Sequence, residues 1–543
     1  MAEVLIVGAG HNGLVAACYL ARAGLDVEVL EANPQIGGCT TTGALVPEAP
    51  DHLLSACAAD IITLRSSTVE ADLGLAGFGF QQVEIDPAYV LLCPDGSSLA
   101  FWRDPRQTAA EIERFSKRDA RAFLKLMRAA DKLLDVTQPM ITTNPVRPER
   151  GALRQSAVAA ARHPRELALA AALTRQTAAD AICERFEHPT VRSMIAIITN
   201  FGSPVTGAGT AVNLMMLGLI ARVGMARPIG GMGSLPAALA RCLEQAGGRI
   251  RTDARVAQIV VHNGRARGVL LENGEELSAG TVLAATEPHR SLARLLPPGV
   301  LSERLAARAE AIPAGNDGCT HFKVEMAMSG RLSLSRHERW RGDGIDLRLP
   351  SVMVGSLDEV CAAIGDAQQG IVPQPLPFVS MVPTAADPTQ APAGQDTLSL
   401  WSGWLPHHPA GGWPAARSGT AEAFVAHAAQ YYEGIEALEI GRAAETPEEI
   451  SARTGVRDGN VYHVDVNLRT LGPLRPARGF GGYRTPVPGY YITGAGTHPG
   501  PSVSGIPGQL AARTLLRDLG RRPAPRIVAP SPLADAEPEL ALR

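Results

Sequence analysis

Three glycines, Gly8, Gly10 and Gly13, and an acid, Glu31, placed 21 positions after Gly10, have the types and spacing to hold a dinucleotide. A diphosphate needs backbone that can come close and donate N–H groups from the start of a helix, and side chains at these glycines would intrude. Glu31 stands where a carboxylate can accept hydrogen bonds from ribose hydroxyls, which selects an unphosphorylated ribose. The paired glycines Gly37 and Gly38 follow at once, in E-A-N-P-Q-I-G-G-C-T-T-T-G, and would let the chain pass close to the far end of a long cofactor. This favours FAD over NAD.

A second glycine-rich stretch comes near the other end, P-G-Y-Y-I-T-G-A-G-T-H-P-G-P-S-V-S-G-I-P-G-Q-L, reading as strand, loop and helix. The start of such a helix could aim N–H groups at negative charge developing on a reduced flavin. His498, inside that loop, is a candidate proton acceptor or a group polarising the flavin ring, with a packing role as the alternative. Arg484, in G-G-Y-R-T-P, is a candidate for binding a carboxylate or neutralising flavin charge, with a structural ion pair as the alternative. Tyr462 and Tyr483 are candidates for lining the flavin face. His11 falls beside the diphosphate, which argues against a covalent flavin link through it.

The elements that position these residues follow from the pattern. Residues 3–31 read as strand, glycine turn, helix and strand, one βαβ unit. Residues 78–102 read as a small antiparallel sheet, and 105–223 as mainly helical, with Ile112, Phe115, Ala122, Phe123 and Leu126 on one helix face. Residues 230–286 return to α/β character, with Asn-Gly at 263–264 and 273–274 marking hairpin turns. Residues 313–410 are Pro-rich and look poor in strands, an insert completing a substrate domain. After Leu519 the chain turns Pro- and Ala-rich, and a disordered tail is expected.

Composition limits the function. A chain of 543 residues exceeds one ordinary core, so interleaved domains are expected. With 45% hydrophobic and 19% charged residues it reads as a globular enzyme, and a net charge of −3 argues against nucleic acid as partner. The eight cysteines form no C-x-x-C, so neither a redox dithiol nor a metal cluster is indicated, and Cys39 reads as a small buried side chain. The first strand starts almost at Met1, and no apolar run reaches the roughly 18 to 20 residues of a membrane span. A cytoplasmic location is expected, with peripheral membrane contact left open.

The two glycine-rich ends together resemble the phytoene desaturase group of flavoproteins, carotenoid desaturases and isomerases within the wider amine oxidase-like superfamily. The closer likeness is to the branch named for pyridine nucleotide-disulfide oxidoreductase domain-containing protein 2. It is carried by F-S-K-R-D-A at 115–120, G-G-M-G-S-L at 230–235, D-G-N-V-Y-H at 458–463, G-G-Y-R-T-P at 481–486 and G-A-G-T-H-P-G at 494–500. The resemblance implies an α/β fold, a Rossmann-type FAD-binding domain of discontinuous segments with an inserted α+β substrate or cap domain. The expected division is FAD-binding segments at 1–75, 226–300 and 456–520, substrate or cap segments at 76–225 and 301–455, and a tail at 521–543. It also implies cofactor contacts at Gly8, Gly10, Gly13, Glu31, Ala32, Gly37, Gly38 and Val256, and at Gly494, Gly496, Ser504 and Gly505. No metal is implied.

The activity expected from the resemblance is dehydrogenation or isomerisation of a hydrophobic, polyene-like substrate by hydride transfer to flavin N5. An amine or amino-acid oxidase is the alternative enzyme, although only 4% of residues are aromatic and none cluster in the terminal motif to form a cage for an amine. A flavin-bearing interaction protein without turnover is the third. Substrate, electron acceptor and oligomeric state are not legible.

Overall fold

A computed structural model describes residues 2–200 and 202–526. Its first layer is a five-stranded sheet in the order Tyr490–Ile492, Thr281–Ala284, Val4–Val7, Val27–Leu30, Arg249–Arg251. Every pairing in it is parallel. Val4, Ile6, Val27, Val29 and Leu283 bury one face against three helices, His11–Arg22, Ser234–Gln245 and Ile506–Asp518. Leu5, Val7, Leu30, Val282 and Ala284 bury the other face against the antiparallel strands Val256–His262, Arg265–Leu271 and Glu276–Ser278. Strands covered on both faces need apolar residues at every position, and V-L-I-V supplies them.

The three helices meet where side chains are missing. A Cβ on Gly13 would sit 2.2 Å from the Gly8 carbonyl oxygen, and one on Gly508 would sit 2.2 Å from that of Asn12. The first contact seats the N-terminal helix on its turn, and the second seats the C-terminal helix on the N-terminal one.

The second layer is a seven-stranded sheet in the order Glu439–Glu445, Cys319–Met328, Thr397–Pro406, Phe378–Met381, Ser351–Val354, Tyr89–Leu92, Ser98–Phe101. Leu91, Leu99, Phe101 and Met353 face a helical layer that includes Pro189–Thr199, Met216–Val223 and Leu357–Gln368. Val90, Leu92, Val352 and Phe378 face the helix Trp413–Ala428. The strands Gln82–Ile85 and Met225–Pro228 pair outside this sheet, at the two ends of the helical stretch.

The βαβ unit, the long helical stretch and both Asn-Gly hairpins stand where the sequence puts them. Three local readings change. Residues 313–410 hold four strands of the large sheet, because the prolines fall in the loops and leave short apolar runs between them. The helix expected through Phe115 is two, Pro105–Glu113 and Lys117–Ile141, since the Ser116 hydroxyl accepts from the Asp119 N–H (3.1 Å) and starts a new helix. Of the strands in 78–102, only Tyr89–Leu92 and Ser98–Phe101 pair with each other. Residues 521–526 of the expected tail have no regular structure, and 527–543 lie outside the described residues. Among the described residues no helix is long and apolar enough to cross a membrane.

Gly508→Ala is expected to lower unfolding stability by about 1–3 kcal/mol, because the atom it meets is backbone and the two helices must part. Gly419→Ala, where a Cβ meets nothing within 4 Å, is the matched control and is expected to be neutral or mildly stabilising. Urea unfolding midpoints of the two variants check this.

Candidate functional site

A cavity of about 400 Å³ runs from the turn after Val4–Val7 to the face of the seven-stranded sheet. At its first end a Cβ on Gly10 would meet nothing within 4 Å, so this position opens on the cavity. No side chain caps the helix that starts there, which leaves its first N–H groups directed at an anion. Glu31 follows the second strand and lines the same space. One of its oxygens accepts from the Ala9 N–H (2.8 Å) and the other from the Asn33 N–H (3.0 Å) and amide (3.2 Å). A carboxylate held in this way keeps lone pairs for ribose hydroxyls.

Gly37 donates its N–H to the Ala9 carbonyl (2.9 Å), and a Cβ on Gly38 would lie 3.5 Å from the Gly10 Cα. The glycine pair therefore packs beside the diphosphate turn, closer to the near end of the cavity than the sequence spacing suggests. Ala32, Val256 and Gly494 line the cavity as well. An open glycine turn, an uncapped helix start and a fixed acid are the donors and acceptors that FAD requires.

Four of the expected contacts lie behind this surface. Gly13 packs on Gly8, and a Cβ on Gly496 would collide with the Pro288 ring at 2.3 Å. The Ser504 hydroxyl accepts from the Ile506 N–H (3.2 Å), and Gly505 opens the C-terminal helix against Val15 and Val69. Ser502 and Val503, just before them, are the lining residues of this loop.

His498 lies off the cavity, its Nε2 hydrogen-bonded to the Met140 carbonyl at 3.2 Å. Burial pushes its imidazole down to about 4, so it is neutral near pH 7 and serves to anchor the end of the long helix. Arg484 also lies off the cavity, with both guanidinium arms on the Asp518 carboxylate at 2.7 Å. The structure thus gives both residues the packing and ion-pair roles that stood as their alternatives. Tyr483 is core, donating to the His498 carbonyl (2.8 Å), whereas Tyr462 lines the cavity.

The sheet side of the far end of the cavity was hidden in the sequence. Tyr89, His321, Lys323, Trp401 and Trp404 reach it from three strands of the large sheet. A bulge between Thr320 and Phe322 re-aims His321, and Gly403 on the neighbouring strand makes room, a Cβ there lying 3.3 Å from the His321 Nε2. The imidazole packs edge-on against Tyr462 with 5.2 Å between ring centroids, and its Nδ1 has no hydrogen-bond partner. Burial, with the nearby charges of His407 and Lys323, pushes His321 down to about 4. Lys323 is buried with Glu325 at 2.6 Å and donates to the Ser55 carbonyl, and burial raises the Glu325 carboxyl. Ile62, Ile197, Ile198, Met216, Ile220, Met353 and Val379 complete an apolar chamber. The one local signal was W-S-G-W at 401–404, whose small residue stands between two large ones.

Comparison with known proteins defines the class first. Residues 6–68 match the NAD(P)-binding Rossmann-like domain and residues 80–344 match the flavin containing amine oxidoreductases. The fold is shared with cyclohexylamine oxidase of Brevibacterium oxydans, with a TM-score of 0.58 at 17% identity, covering 96% of this chain and 100% of that one. The protein is an FAD-dependent, amine-oxidase-like oxidoreductase related to phytoene desaturases.

Its homologues give the particular relationship. Pyridine nucleotide-disulfide oxidoreductase domain-containing protein 2 of Rattus norvegicus is 28% identical over 95% of this chain and 94% of its own length. The zeta-carotene-forming phytoene desaturase of Myxococcus xanthus is 24% identical over 98% of each.

Glu31→Gln is expected to weaken FAD binding about tenfold or more, since an amide cannot accept from both sides and leaves a buried N–H unpaired. Titration of the stripped protein with FAD, followed by flavin fluorescence, measures it.

Proposed function

We propose that the protein dehydrogenates or isomerises a hydrophobic, polyene-like substrate in the chamber between the flavin end of the cavity and the large sheet. The observation that carries this reading is the continuity of the two ends. The polar turn at Gly10 and the apolar wall of Ile197, Ile198, Met216 and Met353 belong to one cavity. Bound FAD supplies a hydride acceptor at N5. The chain's own part is to orient the substrate along the apolar wall, keep water away from it and receive the proton that leaves with the hydride. His321 suits the last task, being uncharged at neutral pH and part of the cavity wall. The phytoene desaturase relatives support the substrate class, because a hydrocarbon offers only apolar surface to recognise.

Amine oxidation is the second reading, and one observation favours it. Tyr89, Tyr462, Trp401 and Trp404 all line the chamber, an aromatic set that the low overall aromatic content concealed. Ring faces attract a cation, so an amine would find a site there.

Anaerobic flavin bleaching against carotenoid precursors, polyene acids and amines separates the two, with chromatography of the products to detect redox-neutral isomerisation. Hydrocarbon-dependent bleaching or isomerisation is the expected result, and bleaching by amines alone would sink the proposal. His321→Ala is expected to slow the reaction about 100-fold while the FAD content stays unchanged.

A further inference from the structure

The fold brings together two cysteines that lie 18 residues apart in the chain. Cys39 follows the glycine pair, and Cys57 follows the short strand Leu54–Ser55, which pairs with Thr42–Gly43. The Ala56 N–H donates to the Thr41 carbonyl (3.2 Å) and the Ala58 N–H to the Cys39 carbonyl (2.9 Å), which locks the two segments side by side. Both thiols are partly exposed, and both line the cavity.

We propose that Cys39 and Cys57 form a thiol-oxidation site that reduces a hydroperoxide and closes to a disulfide. Cys57 is the attacking sulfur. The neighbouring Cys39 thiol lowers its thiol most, against the opposing effect of burial, and the charges of Lys323 and Arg453 lower it further. Glu445, paired with Arg453 at 2.6 Å, opposes this. Cys39 moves the other way, raised by its Cys57 neighbour and by burial, and remains the protonated partner. A lowered thiol near a lysine and an arginine, on a segment held beside a second cysteine, is the arrangement that peroxide chemistry needs.

The Cys57 thiolate attacks one peroxide oxygen. An S–O bond forms as the O–O bond breaks, and the other oxygen takes a proton and leaves as water or an alcohol. Cys39 then gives up its proton and attacks the Cys57 sulfur, forming S–S as water departs. The two sulfurs lose two electrons in total, the peroxide gains two, and a small thiol reductant reverses the change.

The chain contains its own comparison. Cys18 on the N-terminal helix and Cys242 on Ser234–Gln245 are both buried where these helices pack, and Cys18 donates to the Leu239 carbonyl (3.2 Å). Cys183 is exposed and lies outside the cavity.

The test treats flavin-loaded protein with hydrogen peroxide, then denatures, alkylates and maps the peptides by mass. The expected result is a Cys39–Cys57 cross-linked peptide, released by dithiothreitol, with Cys18 and Cys242 fully alkylated. Cys39→Ser is expected to stop at a dimedone-reactive sulfenic acid on Cys57, and Cys57→Ser to lower oxidation at Cys39 by about tenfold or more. Full alkylation of Cys39 and Cys57 while Cys183 is oxidised would overturn the proposal. So would a Cys57 in Cys39→Ser that reacts no faster than Cys183. Should a serine variant lose its flavin, the wild-type peptide map decides alone.

Discussion

The cavity rests on backbone meeting backbone at two places, Gly13 on the Gly8 carbonyl and Gly508 on the Asn12 carbonyl. Neither contact leaves space for a Cβ, so the turn and both helices form one packed unit. From it the parallel sheet spreads outward: Val4–Val7 pairs with Val27–Leu30 on one side and with Thr281–Ala284 on the other, and the latter carries Tyr490–Ile492. Three distant stretches of chain are thereby held at the same edge of one sheet. Ligands in open parallel sheets sit beyond the carboxyl ends of the strands, which is where Gly8, Glu31, Ala285 and Gly494 face the cavity.

This explains why one end of the cavity could be read from the sequence and the sheet side of the other could not. The nucleotide end is local. Gly8, Gly10 and Glu31 lie within one βαβ unit, where the strand and helix periods fix their relative places. The far end is assembled by a sheet whose neighbouring strands are up to about 260 residues apart in the chain, as with Tyr89–Leu92 beside Ser351–Val354. No spacing rule links His321 to Trp401 or Tyr462. His498 and Arg484 misled for the opposite reason. They are close in sequence to the flavin-type loop, yet the chain leaves the cavity after Ala495 and returns only at Ser502. Cysteines 18 residues apart carry no motif, and only the pairing of Thr42–Gly43 with Leu54–Ser55 brings Cys39 to Cys57.

The electrostatics of the cavity are set by burial. His11, His321 and His463 all line it, and burial pushes them down to about 4, 4 and 3. All three are therefore uncharged near neutral pH, so that they can donate or accept hydrogen bonds without placing a cation beside the cofactor. Of the cations on the wall, Lys323 is matched by Glu325 at 2.6 Å and by backbone carbonyls, and Arg453 by Glu445 at 2.6 Å. A buried charge without such partners would cost several kcal/mol, on the order of the desolvation penalty of an ion. The wall on the large sheet therefore presents little net charge, and this suits an apolar ligand better than a cationic one.

The same logic separates the parts of the chamber by how freely they can vary. Lys323 and Trp401 are fixed by cross-strand register, lying directly opposite each other, so a change at one disturbs its partner, while His321 and Trp404 sit in the adjacent bulge. Ile197, Ile198, Met216 and Ile220 come instead from two helices that end near the cavity and rest on the helical core. Swaps among apolar side chains there change volume without breaking a ladder, and a thioether such as Met216 adapts to irregular shapes. Variation in the shape of the chamber therefore belongs to the helical wall, whereas the sheet wall holds the polar groups in place.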